Sequence, residues 1–425
     1  MSTVRTASPR AHLRLVRPTE RPVSKARAEA RSRRTVALLL GSTAFLVGTG
    51  LVMVLSASSV SAFADYGDSF VFVQRQAVYA LVGVLALVVA SRMRVEAWRR
   101  LAVPLLLATI TMLILVLHPA IGVSAYGSSR WFQLGPVTVQ PSEIAKLALV
   151  VFSAAILARR WGSLDDLGQL VMPLLPVSLL VCGLVIMQPD LGTTVILAGT
   201  VFLLLFAAGV RLRYLGFAGI VGAVVGAGLI MSADYRRIRF LAFLDPWEDP
   251  QGTGYQLVQS LYALGAGGWT GVGLGASRQK WEYVPNAHTD FIFSILGEEL
   301  GLIGEFVVLL AFGVLIYAGI KIATAARDVF ARLLAAGIVS WFGLQALINL
   351  GAVTGVLPVT GVPLPFLSYG GSSLVVSLTA VGVLVAIARS PRRTSVPRRG
   401  ARGSRPPRSG SRVVRPPSSR TAPAR

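Results

Sequence analysis

The sequence has few of the residues that soluble proteins use to cover their surface. Only 14% of its 425 residues are charged, 54% are apolar, and the mean hydropathy is +0.66. This composition excludes a soluble globular protein and is typical of a protein with many membrane spans. Cysteine is almost absent: the one thiol, Cys182, lies within an apolar run. No intrachain disulfide can form, and we expect this thiol to pack in the core.

Acidic residues are scarce as well, above all at the two ends of the chain. Residues 1–34 contain ten Lys and Arg and residues 389–425 contain twelve, against two acids in all, so the ends carry +20 of the +22 net charge. We predict disordered basic cytoplasmic tails at 1–34 and 391–425, the second rich in Pro and Arg, flanking a transmembrane domain at 35–390. No nucleic-acid-binding motif accompanies the charge. The tails are expected to be solvated arms that set topology, or to bind anionic lipid or a partner protein.

Apolar runs long enough to cross a membrane dominate the rest of the chain. A hydrocarbon core of ~30 Å requires about 20 helical residues. Ten runs qualify, near residues 35–55, 73–91, 101–118, 142–158, 171–188, 191–210, 215–232, 291–319, 333–351 and 374–388. We therefore predict an all-α polytopic integral membrane protein of about ten transmembrane helices. Basic residues concentrate in alternate short loops, which places both termini in the cytoplasm and a large loop between spans seven and eight outside.

Three segments on the predicted outer side are polar, aromatic and rich in Gly or Pro. The first begins at Ser124 and enters the fourth span, where Glu143 and Lys146 lie three residues apart on one helical face. These two side chains are either a structural ion pair or part of a substrate site. The second segment, Ala233–Thr289, is longer than packing requires. The third, Gly355–Ser373, is stiffened by prolines.

Asp290 stands where a polar, aromatic approach meets an apolar run that is expected to be helical over about Phe291–Gly319. Its carboxylate can cap that helix, which Asp does well, or can act on a substrate at the membrane mouth. A helix N-terminus favours the ionised carboxylate, whereas burial opposes it. Glu298, Glu299 and Glu305 lie within the apolar run, where an ionisable group is a candidate for function or for a buried partner.

Two further features leave alternatives open. His288, two residues before Asp290, is either an orienting hydrogen-bond partner or an ordinary interfacial histidine. No second His or Cys stands at ligand spacing, so a structural zinc site is not expected. The Gly-rich run from Gly265 to Gly275 lacks the spacing of a phosphate-binding loop and is expected to be a hinge or a close-packed turn.

Five separated motifs occupy these polar segments and the short polar turn between the fifth and sixth apolar runs. They are SSRWFQLGPVTVQPSEIAK (128–146), QPDLGT (188–193), GTGYQLVQS (252–260), GVGLGASRQKWEYVPNAHTDFIFSILGEELGLIG (271–304) and PLPFLSYGGSS (363–373). With them the chain resembles the SEDS family (shape, elongation, division, sporulation) over about residues 35–390. The GVGLG and QK portion, followed by AHTDFIF and GEELG, is more similar to the division branch than to the elongation branch. Asn286 stands where many relatives have Glu, which indicates that a carboxylate there is not indispensable.

The resemblance implies a peptidoglycan glycosyltransferase that polymerises lipid II at the outer face of the cytoplasmic membrane during septal wall synthesis. It also implies protein partners, namely a class B penicillin-binding transpeptidase and other division proteins. The family's essential Asp maps onto Asp290. The Glu and Lys of its PSE-x-x-K element map onto Glu143 and Lys146.

The implied reaction joins a sugar hydroxyl to an anomeric carbon whose leaving group is undecaprenyl pyrophosphate. We predict that Asp290 is the general base, a role worth ~10² to 10⁴-fold in rate. The predicted substrate-binding residues include cations that can match the pyrophosphate charge. The full predicted set is Arg130, Glu143, Lys146, Arg236, Arg237, Arg239, Lys280 and His288. A divalent cation, Mg²⁺ or Mn²⁺, can share the electrostatic work; no ligands for it are identified, and no other cofactor is predicted.

Other functions compete with this prediction. A lipid II flippase would use intramembrane polar groups accessible from both faces, whereas here the ionisable groups cluster toward the outer mouth. An elongation-type polymerase would share the same chemistry. A non-catalytic division scaffold would account for the basic tails but not for the polar residues around Asp290.

Overall fold

The computed structural model describes residues 22–125, 128–135, 137–163, 167–281 and 287–390. Across these ranges the chain forms twelve α-helices and three short strands. The helices are α1 (Pro22–Tyr66), α2 (Val71–Arg92), α3 (Val95–Leu115), α4 (Pro141–Arg159), α5 (Leu167–Ile186), α6 (Leu191–Ala207), α7 (Leu212–Met231), α8 (Asp234–Leu244), α9 (Tyr255–Gly267), α10 (Ile292–Ala325), α11 (Val329–Val353) and α12 (Gly371–Arg389). The strands are β1 (Val123–Ala125), β2 (Ser128–Leu134) and β3 (Val137–Val139).

Eight helices in the described ranges are long and apolar enough to cross a membrane: α1, α2, α3, α4, α7, α10, α11 and α12. Two further apolar helices are shorter, namely Met172–Ile186 within α5, and α6. Each predicted apolar run falls on one of these helices. The helical membrane class is therefore confirmed, while the number of crossings and the sides that the termini face stay predictions.

The first helix extends beyond the boundary predicted for the basic N-terminal tail. It begins at Pro22, whereas the tail was predicted to be disordered through residue 34. Ala, Arg, Lys and Glu, all strong helix formers, fill the stretch before the membrane, so the helix propagates outward from the apolar part. Ser32 donates to the carbonyl of Ala388 at 2.9 Å, which ties α1 to the end of α12. Residues 1–21 and 391–425 lie outside the described residues.

The centre of the bundle is formed by α4 and α11. In α4, 83% of the most apolar stretch of the helix is buried inside the protein. In α7 the corresponding share is 6%, so its surface faces outward along most of its length. The Pro-rich segment between α11 and α12 also enters the core, because Phe366 is buried and packs against Phe342 of α11 with ring centroids 5.1 Å apart. This predicted outer segment is therefore a part of the core that can position a site.

Two of the predicted outer segments contain regular structure that the sequence did not indicate. The three strands form one antiparallel sheet, and Gly135 (φ 65°) lies in the turn between β2 and β3. The large loop after α7 contains the helices α8 and α9. The prediction of an all-α fold is thus wrong in this segment, which contains a small sheet. The sheet forms because residues 128–134 are an extended polar and aromatic run, which Gly and Pro follow in the sequence.

Helix α10 is broken at Gly301, which adopts φ 65° and ψ −169°. The Gly-rich turn from α9 fits against the break: Val272 donates its backbone N–H to the Glu298 carbonyl at 3.0 Å, and Leu302 donates to the Gly268 carbonyl at 3.0 Å. A side chain at Gly271 would overlap the backbone of α10, so glycine is required there. The Gly-rich run, which was expected to be a hinge or a close-packed turn, is therefore a close-packed turn. The backbone groups released by the break are hydrogen-bonded, as an apolar setting requires.

Candidate active site

Asp290 precedes the membrane-spanning helix α10 and is not its cap. The helix begins at Ile292, one residue later than predicted, with Phe291 in the N-cap position and no side-chain cap there. Within the described residues, the Asp290 carboxylate instead accepts a hydrogen bond from the Thr289 hydroxyl at 2.9 Å. The capping alternative is therefore not what the structure contains, and the carboxylate is available for chemistry.

The backbone of Asp290 is held by a buried amide from α11. Asn349, 2% exposed, donates from Nδ2 to the carbonyl of Asp290 at 2.7 Å and to the carbonyl of Val362 at 2.8 Å. Both amide hydrogens are used, so the orientation of the amide is determined. Three parts of the chain, the loop before α10, α11 and the Pro-rich segment, thus meet at one side chain.

A small pocket opens beside the Asp290 carboxylate. Its lining residues are Asp290, Phe291, Asn349, Ala352, Val353, Val359, Thr360, Gly361 and Val362. The buried Oδ1 of Asn349 and Oγ1 of Thr360 have no hydrogen-bond partner among the described residues. These oxygens, with the carboxylate, could accept hydrogen bonds from a hydroxyl-bearing ligand. They are also the donor type that Mg²⁺ and Mn²⁺ prefer, although the described chain contains no cluster of three or more His, Cys, Asp or Glu that could hold a metal.

The surroundings of Asp290 favour its protonated form more than water does. Burial raises the pKa of the Asp290 carboxyl above its ordinary value of 3.8, while the Thr289 hydrogen bond and the charge of Arg239 on α8 act in the opposite direction. A carboxylate with a raised pKa is a stronger base than a solvated one. Asp290 is therefore suited to accept a proton.

His288 is an aromatic packing residue. Its ring lies 4.8 Å from the ring of Phe72 and 5.5 Å from that of Tyr369, and its backbone carbonyl accepts from the Tyr369 N–H at 2.9 Å. Burial lowers the pKa of His288 to about 4, so the imidazole is neutral at pH 7. Among the described contacts there is no hydrogen bond between His288 and the Asp290 side chain, and the interfacial alternative fits better.

Glu143 and Lys146 form a buried ion pair. Lys146 Nζ lies 2.8 Å from the carboxylate of Glu143, and both residues are 2% exposed. The ammonium also donates to Gln345 Oε1 at 2.9 Å and lies 5.3 Å from the Trp341 ring centroid. Gln345 is one helical turn from Asn349 on α11 and donates to the Pro363 carbonyl at 2.7 Å. Through Gln345, the pair therefore supports the Pro-rich segment that lines the Asp290 pocket. Of the two alternatives, a structural ion pair fits these contacts better than a substrate site.

Two more predicted cations bind backbone carbonyls. Arg130 donates to the carbonyls of Gln188 at 2.8 Å and Pro189 at 2.5 Å. It thereby holds the polar turn before α6, whose N-terminus is capped by Asp190. Lys280 donates from Nζ to the carbonyl of Gly275. These side chains shape loops near the site.

The three arginines of α8 do not act as one cluster. Arg236 donates to the Leu229 carbonyl at 3.1 Å, and Arg237 lies 3.4 Å from the carboxylate of Asp234. Arg239 is exposed, and its charge acts on Asp290. Of this predicted set, Arg239 therefore influences the candidate base through its charge.

The glutamates of α10 serve the fold around its break. Glu298 accepts from the Ser277 hydroxyl and from the Arg278 N–H, the latter at 2.9 Å. Glu299 accepts from Ser56 of α1 at 2.6 Å. Neither residue lines the pocket at Asp290. Glu305 is half-buried, with its carboxylate near Gly297.

Sequence reasoning missed Asn349, Thr360 and Arg75. Asn349 could have been found, because it is a polar residue within an apolar helix and lies four residues after Gln345. Arg75 stands near the start of α2, within one of the predicted membrane spans. Its proximity to the Asp290 loop depends on tertiary contacts that no local pattern indicates.

The fold and this site define a multi-pass helical membrane protein with a carboxylate site just before a long apolar helix. The family model described as "Cell cycle protein" for FtsW, RodA and SpoVE matches residues 37–393, and the chain belongs to that family. It is 44% identical to stage V sporulation protein E of Bacillus subtilis over 355 residues, 84% of this chain and 97% of that protein.

Other relatives agree with this membership. The chain is 45% identical to a probable peptidoglycan glycosyltransferase FtsW of Geobacter metallireducens over 350 residues, 81% of this chain and 92% of that protein. It also resembles a chain from a solved structure described as "Structural coordination of polymerization and crosslinking by a peptidoglycan synthase complex". The TM-score is 0.69 at 32% identity, covering 83% of this chain and 96% of that one.

Proposed function

We propose that this protein is a division-type peptidoglycan glycosyltransferase that polymerises lipid II at the outer face of the cytoplasmic membrane during septal wall synthesis. The enzyme class follows from the family and from FtsW relatives at about 45% identity over most of the chain. The observation that carries the proposal is the Asp290 carboxylate, held through its backbone by Asn349 and open to a pocket with free oxygen groups.

In the proposed reaction, the acceptor sugar hydroxyl attacks the anomeric carbon of the donor. A carbon–oxygen bond forms there as the bond to the undecaprenyl pyrophosphate oxygen breaks, and that oxygen keeps the electron pair. The hydroxyl proton passes to Asp290, whose raised pKa makes it an effective acceptor. The leaving diphosphate needs no proton if cations match its charge.

The buried pair of Glu143 and Lys146 has a supporting role in this proposal. Direct contact between Lys146 and substrate would leave the Glu143 charge buried without its partner, which is unfavourable. The pair instead keeps α4, α11 and the Pro-rich segment in the arrangement that holds Asp290. A Mg²⁺ or Mn²⁺ ion, when bound, would supply charge to the diphosphate; Oδ1 of Asn349 and Oγ1 of Thr360 would be its protein oxygen donors, which leaves the Asp290 carboxylate to accept the proton.

The proposed partners are a class B penicillin-binding transpeptidase and other division proteins. The similarity to a chain from a peptidoglycan synthase complex supports a partner synthase. Such a partner would cross-link the glycan strand where this chain extends it. The basic tails, which flank the membrane domain, remain candidates for lipid or protein contacts on the cytoplasmic side.

Reconstitution tests the class of function. The full chain with its transpeptidase partner is placed in liposomes that contain lipid II, and glycan formation and transbilayer movement of lipid II are measured in parallel. We expect polymer without accelerated lipid II movement. Lipid II crossing the bilayer with no polymer would contradict the proposal and identify a flippase.

A further inference from the structure

Arg75 is an outer-side cation with no acidic partner. It lies in the second turn of α2, its side chain is exposed, and it forms no ion pair with any Asp or Glu of the described chain. Its guanidinium carbon lies 5.3 Å from the ring centroid of Tyr66, and its charge acts on the Tyr369 hydroxyl, whose pKa is raised by burial and lowered by this charge. A guanidinium has five N–H donors, so most remain available.

The partners of Arg75 are locked to the loop that carries Asp290. Tyr369 donates its backbone N–H to His288 at 2.9 Å, and the rings of Phe72 and Tyr369 lie 5.3 Å apart. The ring of Tyr66 meets that of Phe72 edge-on at 5.9 Å. We call Tyr66, Phe72, Arg75, His288 and Tyr369 the Arg75 cluster. It joins the outer end of α2 to a residue two positions from Asp290.

The residue after Arg75 fixes this arrangement further. Gln76, which is 1% exposed, donates to the Ser368 carbonyl at 3.1 Å and accepts from the Gly370 N–H at 3.3 Å. The start of α2 is therefore attached to the segment that carries Tyr369. A cation positioned in this way loses little conformational entropy when it binds an anion.

Most of the cations predicted to bind substrate are engaged in a way that Arg75 is not. Five of those predicted to bind substrate already hold carbonyls or carboxylates: Arg130, Lys146, Arg236, Arg237 and Lys280. Arginine is well suited to phosphate because its planar fork can donate two parallel hydrogen bonds. Exposed aromatic side chains occur at the end of α1 and just before α2, namely Phe63, Tyr66 and Phe70, as expected at headgroup depth.

We propose that the Arg75 cluster is the subsite for the diphosphate of the polyprenyl-linked substrate, with Arg75 as its anion-binding group. This inference rests on the proposed function, since it places the leaving group on the α2 side of Asp290. When the sugar–oxygen bond breaks, the electron pair stays on the diphosphate oxygen, and the guanidinium stabilises the added charge. The aromatic rings hold the guanidinium and face the lipid chain.

Binding of a polyprenyl diphosphate to the full chain in zwitterionic nanodiscs tests this subsite without requiring turnover. Arg75→Ala should weaken affinity by about ten- to a hundred-fold, the loss typical of charge-assisted hydrogen bonds to phosphate. Arg75→Lys keeps the positive charge but cannot donate two parallel hydrogen bonds, so its affinity should lie between those of Arg75→Ala and wild type. The matched control is Arg92→Ala, an exposed arginine at the other end of the same helix, which should leave affinity unchanged. Thermal unfolding of each variant establishes that it is folded.

Two further competition experiments distinguish a diphosphate site from a general lipid headgroup site. Inorganic diphosphate should compete weakly and in an Arg75-dependent manner, whereas phosphatidylglycerol in the nanodisc should compete poorly. Equal affinity of Arg75→Ala and wild type would overturn the proposal, and so would full competition by phosphatidylglycerol, which would indicate a general headgroup site. An active Asp290→Asn enzyme would remove the proposed base but leave this binding result standing, so the two failures can be told apart.

Discussion

Asn349 donates a hydrogen bond of 2.7 Å to the backbone carbonyl of Asp290, from a helix 59 residues further along the chain. The same amide nitrogen donates to Val362, so one buried side chain positions both the candidate base and the wall of its pocket. The carboxylate itself is left free of that amide. The geometry thus separates the group that holds Asp290 in place from the group that accepts the proton.

Removing this amide should impair catalysis and stability together. Asn349→Leu leaves two buried carbonyls unpaired, which costs about 1 to 3 kcal/mol for each. We expect a lower unfolding temperature and a large loss of polymerisation, because the Asp290 loop is released. Thr324→Val, which removes an exposed hydroxyl bonded within its own helix, is the control and should change neither quantity. Wild-type activity of Asn349→Leu would show that the amide does not position the base.

The pH dependence of polymerisation should report the raised pKa of Asp290. Because the ionised form is the base, activity is lost as pH falls through this pKa, which lies above the ordinary 3.8. Arg239 lowers the pKa, so Arg239→Gln should move the acid limb of kcat/KM to higher pH. Arg237→Gln, on the same helix but paired with Asp234, should leave the limb in place. Identical limbs for wild type and Arg239→Gln would contradict this electrostatic assignment.

The buried ion pair can be tested as a structural element with a double-mutant cycle. Lys146→Met leaves Glu143 charged and buried, which should cost about 3 to 5 kcal/mol in unfolding free energy. Adding Glu143→Gln removes the uncompensated charge and should recover much of that loss. Glycan synthesis should recover with stability. A double variant that is as stable as wild type but inactive would assign Lys146 directly to substrate binding.

The break in α10 predicts a contrast between two glycines of one helix. Gly301 has φ 65° and lies against the backbone of the Gly-rich turn, so Gly301→Ala should lower the unfolding temperature strongly. Gly313 has open space around its Cα, and Gly313→Ala should be neutral or stabilise by about 0.4 to 1 kcal/mol. Equal unfolding temperatures for the two variants would show that the break is not a required feature.

The fold could be predicted from the sequence where structure is determined locally. Each long apolar run became a helix, because a segment in lipid must satisfy its own backbone hydrogen bonds. The helices α8 and α9 and the strands were missed, since they lie in two separate segments whose patterns resemble loops. The Gly301 break was also missed: it depends on a turn about 30 residues earlier, which supplies the missing hydrogen bonds.

The candidate site was predictable in part. Asp290 was recognisable from its motif and from its place at the start of an apolar run. The roles of the cations were not, because an arginine that binds a distant carbonyl, as Arg130 binds Gln188, looks the same in sequence as one that awaits a substrate. Arg75 was overlooked for the complementary reason: its partners, Tyr66 and Tyr369, are about 300 residues apart in the chain.

The central claim is that the Asp290 carboxylate accepts the proton of the attacking hydroxyl. The most direct measurement is glycan synthesis from purified lipid II by the reconstituted protein with its transpeptidase partner, comparing wild type with Asp290→Asn. The account predicts polymer from wild type and none from Asp290→Asn, with the variant folded and its affinity for polyprenyl diphosphate retained. Near-normal glycan synthesis by Asp290→Asn would contradict it.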